Sequence, residues 1–187
     1  MGRVAAMRRL ATAAALIALA VVGLACGEEE GPKREGLATE LGGLQYNVFI
    51  TRQLNLRDAE DASYFKGPDA EKGGTYYGVF LRACNEGDEP AQAASSFKIV
   101  DTIGDEFEPV SQPAGNPFAY RARMLGPQEC IPDPASPAAF APTGGALLVF
   151  RLPVSAGENR PLELEIEGPS GTAVVGGEHK IAFELDI

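Results

Sequence analysis

From Leu44 onward, apolar side chains recur at every second position, and that period decides what this chain can fold into. Leu44, Tyr46, Val48 and Ile50 fall on one face of an extended segment, with Gln45, Asn47 and Thr51 on the other. Successive strand residues point to opposite sides, so such a segment buries one face and wets the other. Thr75–Cys84 continues the style, placing Tyr77, Val79, Leu81 and Ala83 inward, and the turn formers of 85–90 (NEGDEP) end it. Residues 97–101 (FKIVD), a turn at Gly104-Asp105 and residues 106–110 (EFEPV) read as a hairpin with Phe97, Ile99 and Phe107 in the core. Segments 146–152, 162–167 and 180–187 supply further strands, the last alternating Ile181, Phe183, Leu185 and Ile187 with polar residues. No stretch offers a long amphipathic helix, in keeping with 22 Gly and 14 Pro. About seven short strands between turns predict an all-β fold, an antiparallel sandwich of two sheets packed face to face.

The N-terminus obeys different rules. Met1–Arg9 is basic and residues 10–25 carry no charge, centred on the apolar run Ala11–Val22. That run falls short of the roughly 20 residues that span a bilayer core and matches the layout of a cleavable export signal. The junction Val22-Gly23-Leu24-Ala25-Cys26-Gly27 resembles a bacterial lipobox, in which the cysteine is thioether-linked to diacylglycerol and becomes the new N-terminus. Gly23 departs from the usual Leu three residues before the cysteine, and ordinary cleavage after Gly23-Leu24-Ala25 is the competing reading. The expected organisation is a lipoprotein signal peptide over 1–25, a lipid-anchored flexible linker over 26–43 and a sandwich domain over 44–187. Several acyl chains, palmitate among them, hold far better than one, because each buried methylene contributes about 0.8 kcal/mol. The resulting address is extracytoplasmic, with the membrane engaged through the lipid. The charged, glycine-rich residues 27–43 carry no hydrophobic period and read as a solvated tether.

Charge narrows the partners. The chain has 16 basic and 26 acidic residues, a net −10; losing Arg3, Arg8 and Arg9 with the leader takes the mature protein to −13. Such a surface repels phosphate backbones, so neither nucleic acid nor anionic lipid headgroups are expected partners.

Few residues point to chemistry. With Cys26 acylated, Cys84 and Cys130 are the remaining thiols, and an even pair in an exported chain suggests a disulfide, with two separate thiols or a redox or metal role as alternatives. His179 is the only histidine; it reads as a surface residue, because no triad partner or nucleophile elbow accompanies it. Zinc and copper need more His, Cys or Met than the chain has, and its paired glycines lack the phosphate-cradling motif. Asp58, Glu60, Asp61, Asp69 and Glu71 lie between Arg52 and Gly74 and are hard oxygen ligands of the type calcium prefers, but their spacing matches no EF-hand. They read as a solvated acidic loop, with a weak calcium site as the alternative.

Residues 76–110 (YYGVFLRACNEGDEPAQAASSFKIVDTIGDEFEPV) and 145–153 (GALLVFRLP) resemble the immunoglobulin-like domain of unknown function DUF4352, common in lipid-anchored bacterial proteins. The resemblance rests on a strand ending in an Asn-x-Gly-Asp turn, a Phe-Lys-aliphatic-Val-Asp strand and a later Leu-Val-Phe strand. It implies an immunoglobulin-like sandwich and no catalytic residue. The chain departs from the family over 111–145, where a compact turn is expected. Within that insertion Pro127–Pro142 is proline-rich, with Ile131 and Phe140 placed to protrude, and it either binds or covers a sheet edge. The expectation is a non-enzymatic, lipid-anchored, extracytoplasmic module for protein interaction or envelope assembly, without a cofactor. The alternative is a small-ligand or calcium receptor using the 58–71 loop.

Overall fold

A computed structural model describes residues 31–70, 72–169 and 179–187; the leader and Cys26 lie outside the described residues. The strands are β1 Lys33–Arg34, β2 Ala38–Leu41, β3 Leu44–Leu54, β4 Gly74–Cys84, β5 Ala91–Gln92, β6 Ser96–Val100, β7 Glu106–Phe107, β8 Met124–Leu125, β9 Cys130–Ile131, β10 Ala146–Pro153, β11 Leu162–Glu167 and β12 Lys180–Leu185. Two short helices, α1 Ala59–Tyr64 and α2 Pro137–Phe140, lie among them.

One sheet runs β1-β12-β11-β6-β7 and the other β10-β4-β3-β2, with β9 also joined to β4 and β5 pairing β8 apart from both. The named strands pair antiparallel except β1, which lies parallel to β12. Alternation explains the core between the sheets. Tyr46, Val48, Val79, Leu81, Leu148 and Phe150 of one sheet meet Ile99, Leu164, Ile166, Ile181 and Phe183 of the other. Each such side chain contributes about 1.5–3 kcal/mol when fully buried. Phe97 joins them and Phe107 packs against the edge of the cluster.

A second cluster covers the opposite face of the β3-β4-β10 sheet, where Leu54, Tyr76, Phe80, Leu147 and Val149 pack with Tyr64 of α1 and Phe65. This explains the unbroken apolar run 146–150 (ALLVF): β10 is covered on both faces, so alternation is not required of it.

Three expectations change. First, residues 33–41 are not tether. β2 pairs β3 through the two-residue turn Gly42-Gly43, whose φ values of 61° and 81° suit a tight hairpin that side chains would strain, and Leu41 is buried in the core. The compact unit starts at Gly31, not Leu44. Second, Ile50 faces outward. Val48 pairs Leu81 and Ile50 pairs Phe80, so Phe49 is an extra residue, a β-bulge. Beyond it the pattern inverts, leaving Ile50 39% exposed while Thr51 is buried.

Third, Ile131 does not protrude; it is 5% exposed because β9 pairs it with Ala83. The insertion covers two edges. Residues 109–120 run along the free side of β10, with Val110 N donating to Val149 O (2.6 Å) and Tyr120 N to Leu147 O (2.9 Å). β9 continues β10's side of β4 up to Cys84.

Candidate interaction surface

The bulge builds one wall of an apolar opening. Phe49, Ile50 and Arg52 form one wall of a cleft of about 470 Å³, and Pro142, Thr143 and Gly144 form the other. Phe140, at the end of α2 and two residues before that wall, is 79% exposed. Arg82 stacks its guanidinium 5.2 Å from the Phe49 ring centre. Arg52 sits 5.7 Å from the Tyr64 ring and 5.9 Å from the Phe80 ring. Its charge is met by Asp61 and, at 3.4 Å, by Glu60.

That pairing decides the fate of the acidic loop. Asp58 caps α1, its Oδ1 accepting from Glu60 N at 2.8 Å. Asp61 is buried, accepts from Asn55 N at 2.7 Å and pairs with Arg52. Asp69 lies apart, on the wall of a separate cleft with Arg57 and Tyr76. Glu71 lies outside the described residues. Among the described residues no group of three or more His, Cys, Asp or Glu side chains could hold a metal ion. The structure does not gather these carboxylates around one point: the α1 end engages Asp58, the Arg52 guanidinium engages Glu60 and Asp61, and Asp69 stands on the wall of the separate cleft.

Cys84 and Cys130 are register partners on β4 and β9, joined as a disulfide with their Cα atoms 4.1 Å apart. The bond fastens the insertion to the sheet. Beside it stands Asn85, a residue that its turn-like context hid. Its side chain donates to Glu89 O (2.8 Å) and Leu125 O (3.0 Å) and accepts from Gly87 N (2.9 Å). Its backbone bonds Glu129 O and Gln128 N, each at 2.9 Å, so one residue organises both loops. His179 is exposed at the entrance to β12, and its carbonyl accepts from Gly168 N. The structure brings no acid, nucleophile or thiol described here to its ring. Cys26 lies outside the described residues.

No family model and no curated protein matches the chain. Among solved structures it is similar to the yjhA protein of Bacillus subtilis, at 11% identity over 82% of this chain and 99% of that one, with a TM-score of 0.55. It also aligns with ycdA of Bacillus subtilis, described as a candidate lipoprotein, at 11% identity over 80% of this chain and 38% of that one (TM-score 0.49). An uncharacterized β-sandwich protein from Clostridium difficile aligns at 12% identity over 84% and 96% (TM-score 0.46). The likeness to yjhA is one of fold.

Proposed function

We propose that the chain is a non-enzymatic module held outside the cytoplasm by a lipid on Cys26, acting through surface contacts with another envelope protein. The carrying observation is a pairing of features: a basic-then-apolar stretch over 1–25 that runs directly into Cys26, and a sandwich whose insertion is fastened to β4 by the Cys84–Cys130 disulfide. Disulfides form and persist in oxidising, extracytoplasmic compartments. The DUF4352-like strand and turn residues favour the same setting. In this reading the Cys26 thiol loses its proton and displaces the phosphorylated headgroup of a membrane phospholipid, taking its diacylglyceryl group as a thioether, and water then hydrolyses the 25–26 peptide bond to release the leader.

The test is fractionation of cells expressing wild type and Cys26→Ala. Wild type is expected in the membrane fraction, extractable only by detergent, with the variant released or left as the longer precursor. Identical size and partition for both would overturn lipid anchoring.

A further inference from the structure

We infer that the bulge surface of Phe49, Ile50 and Phe140 is the side of the domain that rests on the bilayer to which the lipid tethers it; this rests on the anchoring reading above. Three observations converge on it. The first is where the chain enters the domain. The chain enters through β1 on β12, and directly after it Gly36 N donates to Val48 O at 2.7 Å and Thr51 N donates to the Glu35 carboxylate at 3.1 Å, so the segment just inside the domain docks against the bulge. The second is reach. Cys26 and Lys33 are seven residues apart in sequence, and at about 3.5 Å per residue the entry point stays within about 25 Å of the lipidated sulfur. That bound is tight because β1 and β2 begin so early.

The third is the contrast between the two outer faces. On the bulge side Phe140 and Ile50 are exposed apolar residues, and Arg52 is already matched by Asp61 and Glu60. Arg82, stacked on the Phe49 ring, adds a cation at its border. The outer face of the β6-β11-β12 sheet is instead a ladder of charges, with Lys98 to Glu106 and Lys180 to Glu165 both at 2.6 Å. Pressing that ladder into an interface would desolvate several ions, whereas the bulge side presents side chains that gain by leaving water. A short tether makes docking intramolecular, so a patch too weak to hold a free domain suffices. The docked domain turns its charge ladder outward.

The chain contains no tryptophan, so one introduced indole reports its own surroundings. The experiment uses the lipidated mature protein carrying Phe140→Trp in phosphatidylcholine vesicles with brominated acyl chains. Ile103→Trp, at a 69% exposed position between β6 and β7, serves as the control. The expected result is blue-shifted emission and bromine quenching at position 140 and neither at position 103. A water-like, unquenched indole at 140 in vesicle-bound, Cys26-acylated protein overturns the inference and leaves anchoring intact. Protein that carries no lipid and does not bind vesicles overturns anchoring and the inference with it. A blue shift in native envelopes but not in pure lipid assigns the patch to a protein partner, and also overturns it.

Discussion

Asn85 offers a sharp quantitative test, because one buried amide holds three backbone groups. The residue is 1% exposed, and its bond to Leu125 O is fully buried while those to Glu89 O and Gly87 N are partly open to water. In Asn85→Ala the Leu125 carbonyl is stranded, at about 1–3 kcal/mol, and the two other bonds forfeit roughly 0.5–1.5 kcal/mol each. The expected loss is about 2–6 kcal/mol, a fall of about 1–3 M in the urea midpoint for an m-value near 2 kcal/mol/M. Urea unfolding of the disulfide-intact protein followed by far-ultraviolet circular dichroism measures it. Asn85→Asp sharpens the test: it keeps the acceptor for Gly87 N but aims a carboxylate at two carbonyls. Burial and those carbonyls raise the introduced carboxyl's pKa, so its neutral form is favoured in the fold, and the deficit should shrink as pH falls. A loss below about 1 kcal/mol for Asn85→Ala, or a pH-independent deficit for Asn85→Asp, would refute the reasoning.

Cys84→Ala/Cys130→Ala opens a 46-residue separation and should cost up to about 4 kcal/mol in the same unfolding assay, with little change in the native spectrum. Deleting Phe49 leaves every flanking register pair intact, since Val48 and Ile50 already face consecutive β4 residues. The variant should fold with a loss of about 1 kcal/mol by thermal melting, whereas an unfolded product would contradict the bulge. Asp101 works against its own burial, but hydrogen bonds from Asp105 N (2.9 Å), Asn159 Nδ2 (3.0 Å) and Ile103 N (3.1 Å) hold its carboxyl below the usual 3.8. A depressed pKa stabilises the fold above the unfolded-state value and loses that contribution as pH falls through the folded one, so Asp101→Asn should flatten the stability curve below about pH 4.

What could be read in advance followed the unbroken alternation. Phe97 and Ile99, or Ile181, Phe183 and Leu185, declare their inward face because nothing interrupts the period. At Phe49-Ile50 two adjacent apolar residues conceal an extra one, and only the pairing with Leu81 and Phe80 reveals it. β2 escaped notice because an edge strand buries little: of 38–41 (ATEL) only Leu41 is buried, and the charge around it reads as tether. Ile131 is hidden for a different reason, since its burial depends on Ala83, far away in sequence. α1 is too short to show a helical period, so the role of its acids as a cap and as partners of Arg52 emerges only from the packing.

The central claim is settled most directly by the mass of the N-terminal peptide of the mature protein recovered from its native membrane. The account predicts that this peptide begins at Cys26 and carries diacylglyceryl, with residues 1–25 gone. A peptide that retains the leader, or begins elsewhere with an unmodified cysteine, would contradict it.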